Sequence, residues 1–283
     1  MSMVQRAEAS MQRINDFLHV KPMVESPAKA YTPKTILGEI VFEGVSYTYP
    51  DSGIVALKEF SATLSPGETV VIVGKTGSGK STIGLLLNRV MDPTEGRITV
   101  DGVDIRDWDV TTLRRAIGTV PQDAFLFSDS IAENIAFGTL DATRDTVEAY
   151  AEFAHVAEDV RGFPKGFDTV VGERGVTLSG GQKQRVSIAR ALIKEPPMLI
   201  LDDALSAVDT DTEVSILSGL KSKLQGMTAL LITQRLSCVH LADRIYVLDE
   251  GALVQEGKHT DLLRQQGIYA ELYLLQNPDT QIA

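Results

Sequence analysis

The sequence predicts an α/β fold with a parallel-sheet core, an antiparallel β subdomain and an inserted helical subdomain. Three observations predict this class. An apolar strand at residues 68–73 runs into a glycine-rich turn and then directly into a helix, which is the order of a βα unit. Short apolar runs typical of buried parallel strands return at residues 198–201 and 228–233. Residues 123–178 are mainly helical in pattern, which indicates the insertion.

The first 36 residues are predicted to form a segment apart from the main domain, which spans residues 37–283. Residues 3–18 show an amphipathic helical pattern, because their apolar side chains recur on one face. These side chains are Val4, Ala7, Met11, Ile14, Phe17 and Leu18. Pro22, Pro27 and Pro33 then favour an extended linker, since proline cannot continue a helix.

The remaining elements are predicted in order from hydrophobic periodicity and from glycine and proline signals. Predicted strands are residues 39–49, 55–64, 68–73, 97–100, 117–120, 198–201 and 228–233, and a hairpin-like pair at 244–248 and 252–255. Predicted helices are residues 80–91, 111–116, 131–136, 146–160, 212–224 and 261–275.

The composition restricts the class of protein. The chain has 38 acidic and 27 basic side chains among 283 residues, and the net charge of -11 repels a phosphate backbone, so no nucleic-acid partner is predicted. Its longest apolar runs fall far short of the ~20 residues that a membrane-spanning helix needs. The single cysteine, Cys238, excludes an internal disulfide and is interpreted as a packed small residue.

The glycine-rich turn fits the P-loop pattern, in which backbone N–H groups surround phosphates, a lysine neutralises them and a hydroxyl binds Mg²⁺. Its position between an apolar strand and a helix is the context that this motif requires. The predicted phosphate-binding residues are Gly74, Lys75, Thr76, Gly77, Ser78, Gly79, Lys80, Ser81 and Thr82. Ser81 is the predicted Mg²⁺ ligand among them.

A second motif is the apolar run at residues 198–201 that ends in Asp202 and Asp203. It is typical of a Walker B strand, whose first carboxylate holds Mg²⁺ at the mouth of a parallel sheet. Asp202 is therefore predicted to bind the metal ion. The two motifs together indicate a protein that binds nucleotide and Mg²⁺, as nucleotide phosphatases and kinases do.

A third motif consists of Leu178 followed by Ser179, Gly180, Gly181 and Gln182, ahead of a helix. A serine hydroxyl and glycine N–H groups at a helix N-terminus form a second anion site. With this pentapeptide the sequence resembles the ATP-binding cassette (ABC) family over residues 39–276. The resemblance implies a sandwich dimer, in which ATP lies between the P-loop of one subunit and the signature of the other.

The resemblance also implies roles for other segments. Tyr49 matches the aromatic residue that stacks on adenine, and Gln122 matches the Q-loop glutamine that reaches Mg²⁺ and the attacking water. Residues 206–209 match the D-loop, which communicates across the dimer. Residues 172–175 resemble a loop of exporters that touches the membrane domain, and residues 1–36 resemble the end of the last membrane helix.

The resemblance therefore implies that this chain is the nucleotide-binding domain of a longer exporter. That domain would be attached to its transmembrane domain at the cytoplasmic face of the plasma (inner) membrane. The apolar residues 125–127 could line a groove that binds the membrane domain, or they could be buried in the core of this domain. The sequence favours neither interpretation.

Two positions depart from the family pattern at the γ-phosphate. The family has glutamate as general base where this chain has Asp203, and histidine at the switch position where it has Gln234. Aspartate sets its carboxylate back by about 1.5 Å, and a misplacement of about 1 Å can cost ~100-fold in rate. Glutamine cannot carry the charge that histidine can. The candidate catalytic residues Asp203, Gln234 and Gln122 therefore predict a site that binds ATP and hydrolyses it weakly.

The sequence is consistent with four hypotheses about the function. The sequence favours one subunit of a heterodimeric exporter, whose intact signature completes a competent site in the partner. A homodimeric exporter domain with slow hydrolysis is the second reading. A soluble cassette ATPase is the third, although the stretch between Gln122 and Ser179 is too short for a coiled-coil insertion. A regulatory nucleotide sensor without turnover is the fourth.

Overall fold

The computed structural model describes residues 3–19, 22–139, 141–172, 177–265 and 267–277. The core sheet consists of β3 (Thr69–Gly74), β6 (Ile117–Val120), β7 (Met198–Asp202), β8 (Thr228–Ile232), β9 (Arg244–Asp249) and β10 (Ala252–Gly257). Its strand order is β10-β9-β3-β8-β7-β6. All neighbours in this sheet are parallel except β10, which pairs with β9 as an antiparallel edge strand.

The parallel strands are buried because both faces of the sheet are covered, one by helices and the other by a helix and a second, antiparallel sheet. Every residue of β3 and β8 is buried, as is the apolar part of β7. Strands that are buried on both faces have continuous apolar sequences, which explains why these strands could be predicted from the sequence. The carboxyl ends of β3, β7 and β8 are neighbours, so the loops that follow them meet at one edge.

The smaller sheet is antiparallel, with the strand order β2-β1-β4-β5. Its strands are β1 (Ile40–Thr48), β2 (Val55–Leu64), β4 (Glu95–Val100) and β5 (Val103–Asp104). Its inner face packs against one face of the core sheet in a shared apolar cluster, in which Phe42 and Phe60 meet edge to face at 5.3 Å between ring centres. This sheet brings β2 and Tyr49, just beyond β1, to the P-loop.

The helices complete the structure, and they confirm the predicted α/β class. They are α1 (Met3–Leu18), α2 (Lys80–Leu87), α3 (Val110–Ala116), α4 (Ile131–Ala136), α5 (Arg144–Phe153), α6 (Ala157–Arg161), α7 (Gly180–Leu192), α8 (Thr210–Lys223), α9 (His259–Arg264) and α10 (Ile268–Gln276). Short 3-10 turns occur at Ile105–Asp107, Gly166–Asp168 and Leu236–Leu241.

Three predicted helices are shorter or broken in the structure. The predicted helix 146–160 is α5 and α6, separated where His155 takes a φ of 53°. The predicted helix 80–91 ends at Leu87, and Arg89 beyond it takes a φ of 52°. The predicted helix 261–275 is α9 and α10. In the first two cases a left-handed residue ends the right-handed helix, and an apolar period that runs through such a residue does not reveal it.

The amino-terminal segment forms the predicted helix α1, whose described side chains are all exposed. Its apolar face includes Phe17 and Leu18, which are 78% and 70% exposed. The linker that follows contacts the core, since Arg89 donates to the Glu25 carbonyl at 3.1 Å and Tyr31 meets Trp108 edge to face at 5.1 Å. Within the described residues, every helix is too short or too polar to span a bilayer.

Candidate nucleotide site

The turn after β3 depends on glycine at positions where the backbone comes very close to its neighbours. A Cβ atom on Gly79 would lie 2.1 Å from the Ala56 carbonyl oxygen, and the φ of Gly79 is 96°. Gly77 has a similar φ of 80°, but no atom lies within 4 Å of its Cβ position. Only glycine therefore permits both the turn and its contact with β2 at residue 79.

The difference in surroundings between Gly77 and Gly79 allows a matched pair of substitutions. Gly77→Ala should cost about 1–2 kcal/mol, because alanine strains a left-handed conformation, and should lower the Tm by roughly 2–8 °C. Gly79→Ala adds the collision with Ala56 and should lower the Tm further. Thermal unfolding of the two variants measures this, and equal losses would show that the close approach is not tight in solution.

Lys80, the first residue of α2, is buried and folds back onto the turn. Its Nζ donates to the carbonyl oxygens of Gly74 and Lys75 at 2.9 and 2.8 Å. Burial lowers the pKa of Lys80, and the negative charges of Asp203 and Asp202 act in the opposite direction. A partly desolvated ammonium group at a helix N-terminus is suited to bind a phosphate.

We expect Lys80→Ala to weaken Mg-ATP binding by about 1.5–3 kcal/mol, the usual value of a charge-assisted hydrogen bond. Isothermal titration calorimetry on the 283-residue chain measures this, and the Tm of the variant checks its folding. Equal affinity in the variant and the wild type would contradict a phosphate-binding role for Lys80.

Ser81 and Asp202 meet at the mouth of the sheet, as the two motifs predicted. The Ser81 hydroxyl donates to Oδ1 of Asp202 at 3.1 Å. Burial raises the pKa of Asp202, the nearby charge of Asp203 adds to this, and the Ser81 hydrogen bond and Lys80 partly oppose it. A hydroxyl and a desolvated carboxylate are hard oxygen ligands, and a divalent cation here would offset the cost of burying the charge. The residues present therefore fit Mg²⁺.

Gln122 lies two residues after β6, at the same edge of the sheet. Its side chain is exposed, and within the described part of the chain no hydrogen bond joins it to Ser81 or Asp202. The structure thus places Gln122 at the same edge of the sheet as the other candidate metal ligands, without a hydrogen bond to them among the described residues.

Asp203 and Gln234, the two positions that depart from the family pattern, are in direct contact. Oδ1 of Asp203 accepts the backbone N–H of Gln234 at 3.1 Å. Oε1 of Gln234 in turn accepts the Thr76 hydroxyl of the P-loop at 3.0 Å. Asp203 itself has a φ of 44°, and its N–H donates to Ile232 at 2.8 Å. The loops after β3, β7 and β8 are therefore linked at the place where a γ-phosphate is expected.

Tyr49 lies beside the first turn of α2. Its hydroxyl is 3.1 Å from the Thr82 hydroxyl, and its half-buried ring meets Tyr47 edge to face at 5.0 Å. The adenine-stacking role stays a prediction, but the aromatic ring is next to the P-loop helix as that role requires.

The predicted signature forms the start of α7. Ser179 caps the helix, with its hydroxyl accepting the Gln182 N–H at 3.2 Å while the Gln182 side chain accepts the Ser179 N–H at 3.0 Å. Ser179 and Gly180 are exposed. Among the described residues, no hydrogen bond joins residues 179–182 to the P-loop. The N-terminus of α7, where the sequence predicts a second anion site, is therefore exposed.

Gln184, which follows the signature, has a role that the sequence did not predict. Its buried amide donates to the Ser206 hydroxyl at 2.9 Å and accepts the Ala207 N–H at 2.9 Å. The signature helix is thus tied to the predicted D-loop. A glutamine on the apolar face of a helix was the available signal, since a buried amide needs partners.

Residues 125–127 lie mostly at the surface. Phe125 and Phe127 are 65% and 38% exposed, and their rings are 5.2 Å apart. Arg190 of α7 holds this segment by donating to the Phe125 carbonyl at 2.8 Å and lying 5.5 Å from the Phe127 ring centre. The two phenylalanines are therefore not core residues. The predicted exporter loop at residues 172–175 falls, apart from Gly172, outside the described residues.

This fold and these motifs define a P-loop nucleotide-binding protein with a signature helix. Residues 57–206 match the family described as ABC transporter, and the chain belongs to this family.

Similar proteins include one named as a transporter, one named as a flippase and a solved structure named as an exporter. The chain is 46% identical over 272 residues to the probable multidrug resistance ABC transporter ATP-binding/permease protein YheI of Bacillus subtilis, covering 96% of this chain and 46% of the relative. It is 42% identical over 275 residues to an ATP-dependent lipid A-core flippase of Chromohalobacter salexigens, covering 97% and 47%. A solved structure of a bacterial Atm1-family ABC exporter with ATP bound shares 42% identity and a TM-score of 0.91, covering 97% of this chain and 48% of that one.

The comparisons confirm the predicted family and fold. The chain spans less than half the length of these relatives, with 46% and 47% of the two curated proteins covered.

Proposed function

We propose that this chain is the ATP-driven motor domain of an ABC exporter, formed by residues 37–283 and joined through residues 1–36 to a transmembrane domain. The observation that carries the proposal is the meeting of Ser81 and Asp202 beside the buried ammonium group of Lys80. These groups can neutralise the phosphates of ATP and hold Mg²⁺ against them.

ATP would be bound by Tyr49, the P-loop residues 74–81 and Thr82 of this chain. Mg²⁺ would be held by Ser81 and Asp202, with Gln122 approaching from β6, and would withdraw charge from the phosphate oxygens. Asp203 and Gln234 would act on the γ-phosphate and the attacking water.

The signature is proposed to serve a second nucleotide-binding domain. Ser179 and Gly180 are exposed at the N-terminus of α7, where free N–H groups and the helix dipole favour an anion. Because no hydrogen bond within the described residues links them to their own P-loop, a head-to-tail dimer is the arrangement that uses both surfaces.

Hydrolysis at the chain's own P-loop is proposed to be weak. Asp203 has a shorter side chain than the glutamate of the family pattern, and its carboxylate already accepts the Gln234 backbone N–H. Both features make Asp203 less able to activate the attacking water, whereas all the residues that are predicted to hold ATP are present. This supports a heterodimer in which the partner carries the competent site, and a homodimer with slow hydrolysis is the alternative.

The exposed rings of Phe125, Phe127 and Phe137 are proposed to contact the membrane domain of the same longer chain. Phe127 and Phe137 lie 4.4 Å apart, so the three rings form one apolar surface. The motor domain would then lie at the cytoplasmic face of the plasma (inner) membrane. The net charge of -11 gives no reason to propose a nucleic-acid partner.

One experiment tests the core of this proposal. Calorimetry with Mg-ATP should show saturable binding to the chain, and chelating Mg²⁺ should weaken it. Phosphate release from the assembled complex should exceed that of the isolated chain. A complex that binds ATP without any release of phosphate would instead support a nucleotide sensor.

A further inference from the structure

The carboxyl-terminal helix reaches the candidate site through its last residue, Gln276. Its Nε2 donates to the Gln234 carbonyl at 2.7 Å, and its Oε1 accepts the Leu236 N–H at 2.9 Å. One side-chain amide thus pairs with the backbone on both sides of Arg235, as a neighbouring strand would. Neither contact is implied by a sequence motif.

The segment that Gln276 holds also carries the group that faces the P-loop. The Gln234 side chain accepts the Thr76 hydroxyl on Oε1, which leaves its Nε2 hydrogens to donate to a nucleotide. Arg235 holds the other side of the segment, donating to the Ser206 carbonyl at 2.7 Å and to buried Glu213 at 2.8 Å. The position of Gln234 therefore depends on contacts from both sides.

Helix α10 is itself fixed at its first turn. Tyr269 is fully buried, its N–H donates to Oε1 of Gln255 in β10 at 3.0 Å, and its hydroxyl is 2.6 Å from Nδ1 of His259. An anchored helix carries the side chain at its end to a defined place. Gln276 is therefore held where it can restrict the backbone of Gln234.

We propose that Gln276 is a positioning residue that keeps the Gln234 amide aimed at the γ-phosphate, so that the carboxyl-terminal helix helps the site to distinguish ATP from ADP. The inference rests on the proposed function, because it assumes that ATP occupies this P-loop. ADP lacks the γ-phosphate, so its affinity should not depend on where the Gln234 side chain points.

The test measures the Kd of Mg-ATP and Mg-ADP for the 283-residue chain by calorimetry. Gln276→Ala should weaken ATP binding about 3- to 10-fold, and ADP binding should change by less than about twofold. Glu271→Ala, on an exposed position of the same helix, is the control and should change neither Kd.

A double-mutant cycle separates positioning from general support. When Gln234→Ala has removed the side chain to be positioned, Gln276→Ala should cause no further loss of ATP affinity. A full further loss there, an equal loss for ATP and ADP, or no loss at all would overturn the inference. If the wild-type chain binds neither nucleotide, the proposed function fails, and this inference fails with it.

Discussion

Replacing Asp203 by glutamate and Gln234 by histidine together is expected to raise the steady-state ATPase rate of this chain about 10- to 100-fold. Glutamate is one methylene longer, so its carboxylate reaches about 1.5 Å further toward the water. Histidine can be protonated and so adds positive charge near the γ-phosphate. The two residues are in direct contact, because the Asp203 carboxylate accepts the backbone N–H of residue 234 at 3.1 Å, so the effects of the two substitutions should not be additive.

The assay is phosphate release at saturating Mg-ATP, at protein concentrations where light scattering shows the dimer. Each single variant should give a smaller gain than the pair. The matched control is Asp203→Gln with Gln234→His, which has the side-chain length of glutamate without its charge and should remain slow. An unchanged rate for the active pair, in a sample shown to dimerise, would place the block at another step.

The parts of the fold that the sequence predicted are those in which local pattern and burial agree. Strands β3, β7 and β8 are mostly apolar because both faces are covered, and the motifs that follow them mark the loops at the carboxyl edge. The meeting of Ser81 with Asp202 followed from this topology, since parallel strands end at the same edge. Their positions in the chain are 121 residues apart, yet the two motifs placed them together.

The contacts that the sequence could not predict depend on how distant elements pack against each other. Gln276 meets Gln234 across 42 positions, and Gln184 meets Ser206 across 22. The apolar face of α7 indicates only that the Gln184 amide needs partners, and the packing of α7 and α10 shows which groups the two amides contact. The sequence also did not predict the break at His155, because a single left-handed residue ends the helix without changing the apolar period of the sequence.

The final prediction separates the heterodimer from the homodimer, and it is expected to show the largest loss of activity. In the assembled transporter, Ser179→Ala in this chain should lower ATP hydrolysis by about 100-fold, the usual cost of removing one donor to the transferring group. Its hydroxyl would contact the γ-phosphate in the partner's competent site. In the same complex Asp203→Asn should cost less than about twofold, since its carboxylate faces ATP that is already hydrolysed slowly.

The loss of a helix cap must be separated from the loss of a phosphate contact. Ser179→Ala removes the bond to the Gln182 N–H and should destabilise α7 by about 0.5–2 kcal/mol. Thr143→Ala is the matched control, because Thr143 caps α5 through the Thr146 N–H at 3.2 Å away from the candidate site. It should cost similar stability and leave hydrolysis nearly unchanged. If Asp203→Asn is as damaging as Ser179→Ala, both residues serve every working site, which assigns the chain to a homodimer with Asp203 as its general base.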